Sequence, residues 1–308
     1  MPGYNEKSLV QFQHEKPARR QDSPYPHTPP NYGAKQQYAK EADSSAPLDA
    51  KGQKFIQKLN GRFLYPARAV NSPLLMPLSQ LASQQNRPTE ETERRAKQIL
   101  DYIASQEEPI LTYNASDMVL VGHADASYLS EPNAHSRAGG HIFLSSDVQY
   151  PPNNGAILSI AQIIKHVMSS AAEAELGALY IAARECVYIR LILEEMGHPQ
   201  PATPLQTDNS TADSVVNNKI QPKRLKSMDA RFHWLRDREA RRQFRIYWRS
   251  GKTNLADYHT KNHPASHHVS VRHEYLTPKK YLDILRNGSE EEKSQANFAV
   301  ALAFSDEE

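Results

Sequence analysis

The chain has 308 residues, with 37 Lys and Arg against 35 Asp and Glu and a pI near 8.4. This length allows one or two domains with a sizeable core, and the balanced charge neither requires nor excludes a polyanionic partner. The single cysteine, Cys186, excludes a disulfide framework and a zinc finger built on several cysteines, and it fits a reducing compartment. Neither a signal-peptide core nor a run of about 18 apolar residues occurs, so we expect no secretory signal and no membrane partner.

The first third of the chain predicts an arm followed by helices. Residues 1–50 are rich in Pro, Gln, Lys and Ser and lack apolar periodicity, which predicts a disordered or extended arm. From 51 to 109 the apolar spacing is helical and predicts three helices, the last of them opened by Pro88 and Thr89.

Strand patterns begin at residue 110. Four β-rich stretches follow one another, namely ILTYN, MVLVGHADASYL, RAGGHIFLSS and AILSIAQII. A long helix, the strand PLQTDN, a second helical stretch, a basic segment and the strand FRIYWRS come next. Sequential strands followed by alternating helices and strands predict an α/β fold with a mixed sheet. Residues 277–308 form a predicted C-terminal tail, and we expect its mostly acidic stretch NGSEEEKSQANFAVALAFSDEE to be loose.

Four acidic residues lie where predicted elements begin or end. Asp125 and Asp208 follow strands that are apolar on both faces, where an unpaired carboxylate is costly. Glu175 lies in the first turn of the long helix, and Asp257 lies where a strand gives way to a helix. Any one of them alone is best explained as a surface or capping acid, but the set of four favours a site for Mg²⁺, which prefers oxygen ligands.

The sequence around these acids resembles a known family. HADASYL, SSAAEAELGAL, QTDNSTA and NLADYHTK are similar, in the same order, to the four catalytic blocks of the copia-type ribonuclease H domain. The similarity covers residues 110–276. Upstream, FIQKLNGRFLYPARAV and AKQILDYIASQ resemble the stretch that joins reverse transcriptase to ribonuclease H.

This resemblance implies a ribonuclease H-like mixed five-stranded sheet with flanking helices, preceded by a small helical segment. It implies metal-dependent hydrolysis of the RNA strand of an RNA–DNA hybrid, with Mg²⁺ as a pair of ions and Mn²⁺ as a substitute. The implied metal ligands are Asp125, Glu175, Asp208 and Asp257. The implied partners are the hybrid and an upstream reverse transcriptase part, in a cytoplasmic virus-like particle or in the nucleus.

Some signatures of a whole element are absent from the sequence. It contains no Asp-Asp pair, no Asp-Thr-Gly or Asp-Ser-Gly, and too few cysteines for an integrase zinc module. We therefore expect a C-terminal fragment of a larger element, without polymerase, protease or integrase activity. The loop before Asp257 also lacks the His that many ribonucleases H carry there, and Lys252 is a candidate replacement.

Several residues near the predicted site are candidates for nucleic-acid contacts. A basic cluster suits phosphates of a hybrid, although a solvated helix face is the competing interpretation; its members are Lys223, Arg224 and Lys226. Asn209 and Ser210 either touch the sugar-phosphate backbone or cap the next helix. Trp234 and Trp248 suit base stacking, but apolar neighbours favour positions in the core.

Other features have simpler interpretations. A group of histidines invites a zinc hypothesis, but no Cys or acidic residue lies at ligand spacing, so we expect solvated side chains; the group is His263, His267, His268 and His273. Cys186 lies on the apolar stripe of the long helix, which indicates a buried packing residue.

Two acids in the first turn of the long helix have to be distinguished. Residues two apart on a helix point about 200° apart, so Glu173 and Glu175 cannot both face one metal site. Glu175 aligns with Leu179 and Ala182 on the inward face. Glu173 lies near the outward positions, where it would favour the helix N-terminus together with a cap from Ser169 or Ser170.

The sequence leaves two alternatives to the enzyme open. One is a non-catalytic nucleic-acid-binding remnant of a retroelement, which keeps the fold without the activity. The other is a connection subdomain that acts only when it is joined to a polymerase.

Overall fold

The computed structural model describes residues 2–27, 43–217 and 229–289. Its strands are β1 (Val119–Ser127), β2 (Ser136–Ser145), β3 (Ala156–Ile164), β4 (Thr203–Thr207) and β5 (Phe244–Trp248). Its α-helices are α1 (Tyr4–Gln11), α2 (Ala50–Ala69), α3 (Leu75–Gln84), α4 (Glu90–Ser105), α5 (Ala171–Glu195), α6 (Ser210–Val216), α7 (Asp229–Ala240), α8 (Ala265–Tyr275) and α9 (Lys279–Asn287).

The strands form one mixed sheet in the order β3-β2-β1-β4-β5. β1, β2 and β3 are antiparallel neighbours, whereas β4 runs parallel to β1 and β5 runs parallel to β4. This is the ribonuclease H-like arrangement implied by the resemblance, and the expected five-stranded mixed sheet is confirmed. The stretch at 110–114 is not a strand, so the β-rich pattern there predicted one strand too many.

The core of the sheet domain lies between the sheet and the long helix α5. β1 is buried on both faces over most of its length, as its uninterrupted apolar sequence predicts. The α5 residues that face the sheet are small or apolar, and Leu179, Ala182 and Cys186 are fully buried. Close packing of α5 on β1 and β2 holds the helix start against the carboxyl end of β1.

The helical segment before the sheet forms a core of its own. α2, α3 and α4 pack around buried Ile56, Phe63 and Ile99, as the helical spacing at 51–109 predicts. A hydrogen bond joins the segment to the sheet: Arg137 of β2, which forms a buried ion pair with Glu131 of the β1–β2 connection at 2.7 Å, donates to Ser79 of α3 at 3.0 Å.

Among the described residues, parts of both predicted end segments are helical. Part of the expected N-terminal arm is helical, because Tyr4–Gln11 form α1 and pack on α4. Within the expected tail, Lys279–Asn287 form α9. No helix among the described residues is long and apolar enough to cross a membrane.

Candidate metal and nucleic-acid site

The site is built on two neighbouring parallel strands. His123 of β1 pairs with Gln206 of β4, so continuing the register two residues further sets Asp125 beside Asp208. Asp125 is almost fully buried and Asp208 is half-buried just past the end of β4. Parallel strands place these two carboxylates at the same edge of the sheet.

Glu175 approaches the same edge from α5. Ligand atoms of Asp125, Glu175 and Asp208 all lie within 4.8 Å of one another. We call these three residues the acidic triad. Glu175 Oε2 is buried and has no hydrogen-bond partner. Because a buried carboxylate oxygen without a partner is costly, this atom is suited to a cation.

Glu173 has a different environment. It is buried, contrary to the expected position near the outward face, and its carboxylate accepts hydrogen bonds from the backbone N–H of Ser169 at 2.6 Å and from the Ser169 hydroxyl. Ser170 caps the helix by accepting from the Glu173 N–H. Glu173 therefore belongs to the helix N-terminus, as its spacing predicts, but it does so from inside the protein.

Asp257 lies beside the acidic triad and is joined to it through Lys261. The Lys261 ammonium contacts Asp257 Oδ1 and lies 3.8 Å from Asp125 Oδ2. Asp257 itself does not share the 4.8 Å grouping of the triad; it groups with His263 and His267 instead. The structure thus brings three of the four predicted ligands together and places the fourth next to them.

Burial is the largest influence on the pKa values of the three carboxylates of the acidic triad. Burial raises the pKa of Asp125 to about 7, with Asp257 and Asp208 adding to the shift and Lys261 opposing it. Burial and the charges of Asp125 and Asp208 raise the pKa of Glu175 to about 9. Burial likewise raises the pKa of Asp208. Burial alone would lower the pKa of Lys261, but Asp125 and Asp257 raise it.

Several residues that position this site were not recognised from the sequence. Thr260 donates a hydrogen bond to Asp125 Oδ2, and Asn254 donates to the Ala124 carbonyl at 2.8 Å. Gly139 of β2, the partner of Asp125 in the sheet, faces the 256–260 turn so closely that a Cβ would lie 2.4 Å from the Ala256 carbonyl oxygen. Asn254 and Thr260 stand in the same NLADYHTK block as Asp257, which was the available signal.

The N-terminal segment also supports the site. Tyr25 is buried, and its hydroxyl donates to the Lys261 carbonyl at 2.8 Å and accepts from the His263 N–H. His27 donates from Nδ1 to the Asn262 carbonyl at 2.6 Å. Part of the segment that composition predicted to be a disordered or extended arm therefore holds residues 261–263 in place.

The predicted nucleic-acid contacts have mixed outcomes. Lys223, Arg224 and Lys226 lie outside the described residues. Asn209 Oδ1 accepts from the Ala212 N–H at 2.9 Å, so this side chain caps α6, and Ser210 is exposed at the first position of that helix. Lys252 is exposed and lines a cavity of about 650 Å³.

The two tryptophans differ from each other. Trp234 packs against the core as expected. Trp248 is 50% exposed, so the expectation of a core position is wrong. Its indole N–H donates to the Asp208 carbonyl at 2.9 Å, which holds an open aromatic face beside the acidic triad. Because Trp248 is the last residue of β5, its ring lies beyond the apolar part of the sheet.

The histidines near the C-terminus are not all solvated, contrary to expectation. His263 and His268 are buried, and burial lowers the pKa of His263 to about 4 and that of His268 to about 3. Asp257 supplies the acidic partner that linear spacing did not reveal, since its Oδ2 lies 3.3 Å from His263 Nε2. His273 instead pairs with Glu274 at 3.2 Å.

Comparison with known proteins finds similarity to a retroelement polyprotein. Over 174 residues the chain is 27% identical to the Retrovirus-related Pol polyprotein from transposon TNT 1-94 of Nicotiana tabacum. The chain shares distant homology with this copia-type Pol polyprotein. The matched stretch makes up 56% of this chain but only 13% of the polyprotein. No family model matches the chain.

Solved ribonucleases H give weaker likenesses than the Pol polyprotein. An RNase H1 isolated from compost is 12% identical with a TM-score of 0.35, over 46% of this chain and 93% of its own. The N-terminal RNase H domain of a Mycobacterium tuberculosis protein is 14% identical with a TM-score of 0.35, over 50% of this chain and 99% of its own. TM-scores this low carry no argument about the fold. The fold of this domain is defined instead by the strand order of its own sheet.

Proposed function

We propose that this chain hydrolyses the RNA strand of RNA–DNA hybrids with the help of divalent metal ions, as a ribonuclease H domain of a copia-type polyprotein. The observation that carries the proposal is the acidic triad. Asp125, Glu175 and Asp208 come from two strands and one helix that are distant in sequence, and yet their ligand atoms lie within 4.8 Å of one another. Three mutually repelling carboxylates are stable together only when protons or cations neutralise them.

The residues present fit the proposed Mg²⁺. The donors are carboxylate oxygens, which Mg²⁺ and Mn²⁺ prefer, and Glu175 Oε2 has no other partner. When bound, such ions lower the pKa of a water and stabilise the leaving oxygen of a phosphodiester. Asp125, Glu175 and Asp208 would hold the metal, and Asp257 would complete the set from the adjoining turn. No covalent intermediate on the protein is needed.

Neighbouring residues of the chain would prepare these carboxylates. Thr260 orients Asp125 by donating a hydrogen bond to Oδ2. Lys261 offsets the charges of Asp125 and Asp257. Since Lys261 belongs to the same turn as Thr260, one short segment would both orient and neutralise the site.

The surface beside the triad suits a nucleic-acid backbone. A cavity of about 650 Å³ adjoins Asp257 and is lined by Arg249, Lys252 and Tyr150. The Arg249 guanidinium lies 4.7 Å from the centre of the Tyr150 ring, and both Tyr150 and Trp248 are half exposed. Cations would contact phosphates and aromatic faces would stack on sugars or bases. Selection of RNA would depend on contacts to the 2′-hydroxyl in the wide minor groove.

The test is a cleavage assay with the full chain and a labelled hybrid. We expect RNA to be cut with Mg²⁺ or Mn²⁺, cutting to stop with EDTA, and single-stranded DNA to remain intact. Glu175→Gln should abolish cutting while hybrid binding is kept, because the amide keeps the shape but loses the charge. Cutting that persists without divalent metal would contradict the mechanism. Hybrid binding without any cutting would favour the non-catalytic remnant.

A further inference from the structure

A second group of metal-ligating side chains lies on the far side of Asp257 from the acidic triad. One ligand atom from each of Asp257, His263 and His267 lies within 4.8 Å of the others. His263 immediately precedes Pro264, the N-cap of α8, and His267 lies in the first turn of that helix. The two imidazole rings are stacked with their centres 4.1 Å apart, and one nitrogen atom of each lies within 4.8 Å of the other and of an Asp257 oxygen.

The two oxygens of Asp257 face different partners. Oδ1 contacts Lys261 on the side of the acidic triad, whereas Oδ2 lies 3.3 Å from His263 Nε2. A tetrahedral ion with ligands at about 2.0–2.1 Å has neighbouring ligand atoms about 3.3 Å apart. The Oδ2 to Nε2 distance therefore matches that between two ligands of one ion, and Nε2 would exchange its present 3.3 Å contact with the Asp257 carbonyl for the ion.

The surroundings hold this group in place. Tyr258 is buried and stacks on His263, with ring centres 5.7 Å apart and planes 12° apart. The backbone N–H of His263 is held by the Tyr25 hydroxyl. On its other side the group is open, because Asp257 and His267 both line the cavity of about 650 Å³. Three protein ligands with one accessible direction leave room for water as a fourth ligand.

We propose that Asp257, His263 and His267 form a binding site for a divalent transition-metal ion of the zinc type. Two imidazoles and one carboxylate favour Zn²⁺ over Mg²⁺, since Mg²⁺ prefers a shell made of oxygens. The site is distinct from the acidic triad. Asp257 is the one residue that it has in common with the proposed Mg²⁺ ligands. It does not depend on the proposed hydrolysis, because binding is measured without any nucleic acid.

The test is calorimetric titration of the full chain, freed of metal with EDTA and dialysed, with Zn²⁺ alone. We expect one Zn²⁺ per chain in the wild type. We expect the same in Glu175→Gln, which weakens the acidic triad, and in His273→Ala, a control on the same helix outside the group. His267→Ala should weaken binding on the order of 100-fold, since even the outer partners of metal ligands are typically worth 10–100-fold. His267 is only half-buried, so this variant should fold, and circular dichroism checks that it does.

A second measurement uses Co²⁺ in place of Zn²⁺. Tetrahedral coordination should give strong visible absorption in the wild type and in Glu175→Gln, but not in His267→Ala or His263→Gln. The proposal is overturned if Zn²⁺ does not saturate the wild type, if folded His267→Ala binds as tightly, or if Glu175→Gln abolishes binding. The last result would move the ion to the acidic triad. Failure of hybrid cleavage with Mg²⁺ would leave all of these measurements unaffected.

Discussion

Gly139 offers a direct test of how the site is assembled, because it permits the 256–260 turn to lie against β2 beside Asp125. Gly139→Ala adds a Cβ that would lie 2.4 Å from the Ala256 carbonyl oxygen and 2.6 Å from Thr260 Cγ2. Ordinary contacts begin near 3.4 Å, so the turn has to move away by about 1 Å. The nearest atom is a backbone oxygen of Ala256, so a change of side-chain rotamer cannot relieve the clash.

The expected cost is greater for catalysis than for stability. Overpacking of this size costs about 1–3 kcal/mol. Removing a glycine from a strand regains about 0.5–1 kcal/mol of that, so the net loss should be about 0–2.5 kcal/mol. The displaced turn carries both Asp257 and Thr260, the hydrogen-bond donor to Asp125. Misplacement by about 1 Å is enough to lower a catalysed rate roughly 100-fold.

The assay compares urea unfolding with hybrid cleavage under Mg²⁺. Gly140→Ala is the matched control: it is the next residue of β2 and faces the other side, where its Cβ would meet the Ile160 side chain at 3.0 Å. We expect the control to lose some stability and keep most of its cleavage. Wild-type cleavage rates in folded Gly139→Ala would refute the idea that this close approach sets the position of the turn.

Three further predictions concern stability and binding. Glu173→Gln should lower the free energy of unfolding by about 1–2 kcal/mol, because its buried carboxylate accepts from Ser169, and it should leave most cleavage; complete loss of cleavage would contradict this. Without metal, stability measured by urea unfolding should fall as pH rises from about 7 to about 9, because burial raises the pKa of Glu175 to about 9, so the folded state binds more protons there than the unfolded state. Histidines such as His263 and His268, whose pKa values burial lowers, are neutral in both states over this range; Glu175→Gln should flatten the fall, and a rise would contradict the sign. Hybrid affinity should fall steeply with salt, and replacing the basic cluster with Ala should reduce the slope by about 0.9 for each phosphate that is no longer neutralised; an unchanged slope would favour a solvated helix face for Lys223, Arg224 and Lys226.

The local sequence pattern predicted burial correctly where the spacing of apolar residues within one strand or helix defines its buried face. The apolar runs before Asp125 and Asp208 predicted buried strands, and the spacing of Leu179 and Ala182 predicted the inward face of α5. The same helical geometry separated Glu173 from Glu175. It did not reveal that Glu173 is buried, because burial depends on what covers the start of α5, which periodicity within the helix does not describe.

Pattern failed where the environment comes from distant segments. Composition predicted a disordered or extended arm around Tyr25 and no buried position. Tyr25 is nevertheless buried, since its hydrogen-bond partners lie more than 230 residues away in the turn after Asp257. Spacing along the sequence also gave no sign that Asp257 lies next to His263 and His267. A one-dimensional pattern records neighbours along the chain, whereas a site takes its ligands from whatever the fold brings together.

The sequence by itself predicted the mixed sheet and singled out the four acidic residues, because each prediction rests on periodicity or on a short block of residues. Only the tertiary structure decided how these acids are divided. It groups Asp125, Glu175 and Asp208 at the end of β1 and β4, and it sets Asp257 between Lys261 and His263. The direction of a side chain in a turn depends on which distant segment the turn packs against. Here the 256–260 turn packs closely against Gly139 of β2, and no local sequence pattern predicts that contact.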